Sequence, residues 1–267
     1  MDSGGRGTLV NLLFPVARQG ESTLWFRAKA GAELLLLPFV ALITTLLYCF
    51  RARGHRITGT HTAKFDELER VDYHTLRSTI QNGDLFFCGG NYWFSRVIRF
   101  FSGASAVSHV GIVYWWNGRL MLLESVEPNG VRIVPVSQYV EDYDNSRRPY
   151  HGRLYLARDK RLNVAPAAGA SPGATRNPDV EEILKAAASK LNKPFSMRDT
   201  IAFFIQGVSG RLRNRRNDEY LCSEFVAYCF KHVGHGFADD GRGFVAPEHI
   251  AASADVEALV EIQRNSS

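Results

Sequence analysis

The sequence predicts an α+β fold, an antiparallel sheet packed on a helix, preceded by a hydrophobic N-terminal segment. Three stretches carry that prediction. Cys222, Phe225, Val226, Cys229, Phe230 and Val233 recur at i, i+3, i+4, i+7, i+8 and i+11, the apolar stripe of a helix packed on one face. The runs VSHVGIVYWW (107–116) and RLMLLESV (119–126) are separated only by Asn117-Gly118, the strongest short signal for a β-hairpin. Residues 34–50, LLLLPFVALITTLLYCF, carry no charge.

Taken in order, residues 1–30 contain Gly and Arg and show no clear periodicity. In the run 34–50, eleven of seventeen residues are Leu, Ile, Val or Phe. Each favours insertion into a bilayer by roughly 0.3–0.6 kcal/mol. As a helix the run covers about 26 Å, slightly short of a ~30 Å hydrocarbon core. A membrane anchor helix is the expectation, and the run starts too far from Met1 for an ordinary signal peptide. Arg27 and Lys29 flank it on one side and Arg51, Arg53 and Arg56 on the other. The richer C-terminal flank places the body on the cytosolic side of the membrane.

The expected division is therefore a basic, anchored segment at 1–64 and a folded body at 65–267. Residues 65–82 read as a helix with Asp66 as its cap, broken by Gly83-Asp84. LFFC then reads as a short buried strand, and 91–102 has aromatic and aliphatic residues at helical spacing, taken as core. The Asn117-Gly118 turn fixes a hairpin register in which paired positions sum to 235, so Gly111 opposes Glu124 and His109 opposes Val126. His109 and Glu124 then share one face as diagonal neighbours, with Cβ atoms roughly 7 Å apart or less. Val110, Ile112 and Tyr114 pack on the other face. Asn129-Gly130 makes a further turn, VRIVPV a third strand, SQYVEDYD a short helix and HGRLYLA (151–157) a fourth strand. Residues 165–178 have the composition of a flexible surface linker. An amphipathic helix follows at 179–192. The helix of Cys222 is capped by Asn217 or Asp218 and stopped by Gly234. Pro247-Glu248-His249 opens a short helix, and VEALVEI forms a last strand.

Charge and cysteine usage narrow the function. The net charge of +5 lies entirely in residues 1–64, and the body holds 24 basic and 24 acidic residues. A neutral body argues against nucleic-acid binding. The four cysteines, at 49, 88, 222 and 229, show no zinc-site spacing and too few pairs for a disulfide framework, so reduced thiols facing the cytosol are expected. No metal or other cofactor is called for.

A lone cysteine on an apolar stripe is ordinarily a buried structural residue. Cys222 differs in standing in the first helical turn, where backbone N–H groups and the helix dipole favour a thiolate. With a strand-borne His109 to take its proton and Glu124 to orient the ring, it has the logic of a cysteine hydrolase. The Cys222 N–H is a ready oxyanion donor, and Tyr220 and Gly111 are weaker candidates for oxyanion or substrate contact. The basic cluster Arg211, Arg213, Arg215 and Arg216 is a candidate for contact with a phosphate or an anionic lipid, set against its reading as a solvated loop.

Five motifs occur in order: Gly83-Asp84-Leu85, Ser108-His109-Val110-Gly111-Ile112, Leu123-Glu124-Ser125, Gly130-Val131-Arg132-Ile133-Val134-Pro135, and Tyr220-Leu221-Cys222-Ser223-Glu224-Phe225-Val226. Together they resemble the circularly permuted papain-like thiol hydrolases related to bacterial NlpC-type enzymes, with the poxvirus and bacterial permuted versions most similar in pattern. The resemblance covers roughly residues 66–252. It implies a permuted papain-like fold with the cysteine helix against an antiparallel sheet, and His109, Glu124 and Cys222 as the triad. It also implies an activity among peptidases, amidases and lipid acyltransferases, with a peptide, amide or lipid-acyl substrate. A membrane-tethered thiol hydrolase is the first expectation, at a host-cell or virion membrane if the Arg-, Gly- and Ala-rich usage reflects a large DNA virus. A lipid acyltransferase or phospholipase with the same triad is the second. A catalytically silent membrane-bound interaction protein is the third, and an intact Cys/His/Glu set argues against it.

Overall fold

The computed structural model describes residues 63–90, 106–162, 177–194, 221–239 and 245–264, all within one compact unit of the chain. The hydrophobic run 34–50, the aromatic segment 91–102, Tyr220, and Arg211, Arg213, Arg215 and Arg216 lie outside these residues. So do residues 165–176 of the expected linker. Among the described residues no helix is long and apolar enough to cross a membrane.

The described chain has mixed α and β content built on a seven-stranded sheet. The strands are β1 (Arg70–Asp72), β2 (Leu85–Gly90), β3 (His109–Trp116), β4 (Arg119–Val126), β5 (Gly130–Pro135), β6 (Gly152–Asp159) and β7 (Val256–Gln263), in the order β1-β7-β6-β2-β3-β4-β5. All neighbours pair antiparallel except β1 with β7, which run parallel. The helices are α1 (Tyr73–Leu76), α2 (Ser137–Val140), α3 (Pro178–Ala188), α4 (Cys222–Lys231) and α5 (Pro247–Ala252).

Alternation along the strands builds two apolar layers, one on each side of the sheet. Val110, Ile112, Leu123, Leu85 and Phe87 face one layer, where Val180 and Ile183 of α3 and Phe225, Val226, Cys229 and Phe230 of α4 pack against them. Val113, Leu122, Phe86 and Cys88 face the other, with Tyr73 of α1 and Tyr139 of α2. Phe225, Val226 and Phe230 have no exposed surface, which stabilises each by about 1.5–3 kcal/mol.

The β3–β4 hairpin has the register that its turn requires. Trp116 pairs with Arg119 and Ile112 with Leu123, and Asn117 and Gly118 both have positive φ, 47° and 75°, as a type I′ loop demands. Residues 65–82 do not form one helix. Arg70–Asp72 instead adds an edge strand to β7, tied by Glu261 N–H to the Glu69 carbonyl at 2.9 Å and by Arg70 to Glu261 at 3.4 Å. Asp72, not Asp66, caps the one-turn α1, accepting from the His74 and Thr75 amides. A strand partner satisfies these backbone groups, which overrides the local helical pattern.

Two smaller boundaries also move. The expected linker ends before Asn177, which caps α3 by accepting from the Asp179 amide. Leu221 occupies the N-cap position of α4 and makes no side-chain cap bond, and Asn217 and Asp218, the expected caps, lie outside the described residues. The SQYVEDYD helix is only one turn long, because the backbone leaves the helical region at Asp142 (φ −143°, ψ 69°).

Gly83-Asp84 serves the architecture. The Gly83 amide donates to the Val113 carbonyl and the Val113 amide to the Asp84 carbonyl, at 2.9 and 2.8 Å. The fully buried Asp84 carboxylate accepts from Arg158 Nε and Nη2 at 2.6 and 2.8 Å and from the Gln81 amide at 2.8 Å.

Candidate active site

Glu124 is the centre of a buried polar group on β4. It has no exposed surface, so an ionised carboxylate there needs several donors. His109 Nε2 donates to its Oε2 at 2.8 Å, the Tyr139 hydroxyl to the same oxygen at 2.6 Å, and Arg132 Nε to Oε1 at 2.8 Å. Burial alone would raise the Glu124 pKa, but His109, Arg132 and Tyr139 outweigh it and hold the carboxyl below its ordinary range.

His109 is only 15% exposed, and its ring lies parallel to that of Tyr139, with centroids 6.5 Å apart. Burial pulls its pKa down, yet the Cys222 sulfur, as charge and hydrogen-bond partner, and then Glu124 push it up to about 10. With Nε2 committed to Glu124, Nδ1 is the ring nitrogen left for the thiol. The imidazole thus stands between sulfur and carboxylate.

The two strands and the helix make this meeting possible at their ends. The β3–β4 ladder stops at Ile112–Leu123, and His109 and Glu124 lie just beyond it. α4 packs under Val110 and Ile112, and its first residue, Cys222, is a hydrogen-bond partner of the His109 ring. Ser223, next to the sulfur, is buried and donates to the Val245 carbonyl at 2.7 Å, which fixes the helix start. Cys222 is partly exposed, whereas Cys88 and Cys229 are buried, and burial raises both of those thiols.

The sequence-derived residues therefore divide. Cys222, His109 and Glu124 come together. Gly111, a weaker candidate for oxyanion or substrate contact, is buried. A Cβ there would stand 2.8 Å from Leu122 Cδ1 and 2.9 Å from the Leu123 carbonyl oxygen, so the strands approach closely at this glycine. Arg132 and Tyr139 are additions. Arg132 pairs with Glu124 across β4–β5, a register set by a three-residue connection rather than by a two-residue turn, so turn chemistry alone did not reveal it. Tyr139 is carried in by the single turn of α2 and had no local signal. Among the described residues no three His, Cys, Asp or Glu side chains are grouped to hold a metal ion.

No family model matches the chain, and no curated protein matches it. Among solved structures, the metalloprotein yiiX of Escherichia coli O157:H7 (DUF1105) is similar at a TM-score of 0.47 and 14% identity. The match covers 69% of this chain and 97% of that one.

Proposed function

We propose that this protein is a cysteine hydrolase of the permuted papain-like type, acting on an amide or other acyl bond through Cys222, His109 and Glu124. The observation that carries the reading is the His109 ring held between the Cys222 sulfur and a fully buried carboxylate. A structural cysteine has no need of an ionised histidine, and an exposed salt bridge has no need of a buried glutamate.

The cycle follows from the proton positions. His109 Nδ1 takes the proton of Cys222, and the thiolate attacks the carbonyl carbon. The oxyanion that forms meets the backbone N–H of Cys222 at the start of α4. The leaving amine takes the proton from His109 as the carbon–nitrogen bond breaks, and a thioester remains. Water, deprotonated by His109, then attacks the thioester and releases the acid and the thiol. Glu124 keeps Nε2 protonated and the ring in place throughout.

Membrane association remains part of the proposal through the run 34–50. The test is to incubate the full chain with a mixed pool of peptides and phospholipids and weigh the covalent adduct on Cys222. A peptide-derived acyl mass, absent in C222A, is the expected result. A lipid-derived acyl mass would assign the same triad to acyl transfer or lipid hydrolysis, and no adduct with either pool would overturn the reading.

A further inference from the structure

Glu124 receives more donors than a histidine partner requires. Three elements supply them: β3 through His109, β5 through Arg132 and α2 through Tyr139. Resting on the triad reading above, we propose that Arg132 and Tyr139 are positioning residues with separate tasks. Arg132 keeps the buried carboxylate ionised when His109 gives up its proton, and Tyr139 fixes the carboxylate oxygen that the ring must meet.

The charge task follows from what faces Glu124. Cys88 approaches from β2, His109 from β3, Arg132 from β5, Tyr139 from α2 and Tyr143 from the turn after it, with Asp144 beyond Arg132 at 3.4 Å. Burial raises Cys88, Tyr139 and Tyr143, so these are neutral at working pH. His109 is neutral in part of each cycle. Arg132 alone of this set is a cation at every step, because a guanidinium does not deprotonate in proteins. Without it the carboxylate is a buried anion that is unpaired each time the ring is neutral, and it takes up a proton instead.

The geometric task follows from packing. The Tyr139 hydroxyl meets the same oxygen, Oε2, as the imidazole does. Its ring cannot swing, since Phe86, Tyr143 and Tyr150 lie against it at centroid distances of 5.4, 5.0 and 5.4 Å. The carboxylate is thereby held from behind, and the imidazole has one fixed acceptor.

The experiment is the pH dependence of iodoacetamide labelling of Cys222 in the full chain, resolved by peptide mass. Y139F is expected to slow labelling about tenfold at every pH without moving the midpoint. R132M is expected to move the acid limb upward by about one unit, a tenfold loss below it, and R132K to restore the wild-type limb. If R132M does not fold, R132Q, which keeps polarity and loses charge, takes its place with the same expectation. Profiles of both single variants that match the wild type, while H109A abolishes the rapid labelling, would overturn this inference and leave the triad standing. Slow Cys222 labelling in the wild type, unchanged in H109A, would instead remove the triad itself. Equal shifts from Y139F and R132M would refute the division of tasks.

Discussion

His109 carries the pH dependence of the site. Its pKa is pushed from an unfolded value near 6.5 to about 10 by Cys222 and Glu124 against the pull of burial. A raised histidine contributes stability that is fully present below about pH 6.5 and is lost as pH rises through about 10. Urea unfolding of the wild type should therefore show stability falling across that window, and H109Q should flatten the fall. Equal slopes in the two proteins would mean that the ring is not held as a cation. Glu124 has the opposite sign: held low by His109, Arg132 and Tyr139, it contributes above its ordinary value near 4.5 and loses that contribution as pH falls through its folded value. As a general base His109 is expected to be worth about 10²–10⁴ in rate, so H109A should lose that much turnover with its fold intact by circular dichroism. The sequence made His109 and Glu124 legible because a two-residue turn fixes side-chain alternation over the whole hairpin.

At the scale of the element, β3, β4 and the start of α4 carry the three side chains of the site. Gly111→Ala places a methyl group 2.9 Å from the Leu123 carbonyl oxygen and 2.8 Å from Leu122. The backbone atom cannot yield, so a loss of about 1–3 kcal/mol is expected in thermal or urea unfolding; an unchanged midpoint would mean that the strands part more widely than described. Phe225→Ala removes a fully buried ring one turn from Cys222 and should cost about 3–5 kcal/mol. The α4 stripe was readable because its period is helical over three turns. The segment 65–82 was not, because its fate depends on β7, nearly two hundred residues away in the chain. Local pattern records which face is apolar, whereas the partner of an edge strand is a tertiary fact.

Across the whole molecule, buried charges tie the sheet together at points distant from the site. Asp84 before β2 takes Arg158 of β6, and Glu261 of β7 takes Arg153 of β6 and Arg70 of β1. Arg158→Met leaves the fully buried Asp84 without its cation, an expected cost of about 3–5 kcal/mol in unfolding free energy. A cost under about 1 kcal/mol would show that the carboxyl is protonated already, a direction in which burial pushes it. No such pairing follows from composition, since Asp84 and Arg158 lie 74 positions apart in the chain. Arg132 and Tyr139 illustrate the same point at the site: a motif displayed the arginine, but only the assembled sheet gives it a partner. The central claim is that sulfur, imidazole and carboxylate act as one unit, and competitive thiol labelling at neutral pH tests it most directly. Brief iodoacetamide exposure of the full chain, read by peptide mass, should mark Cys222 well ahead of the buried Cys88 and Cys229, with that lead cut at least tenfold in H109A. A Cys222 that labels no faster than those two, or equally fast with and without His109, would contradict it.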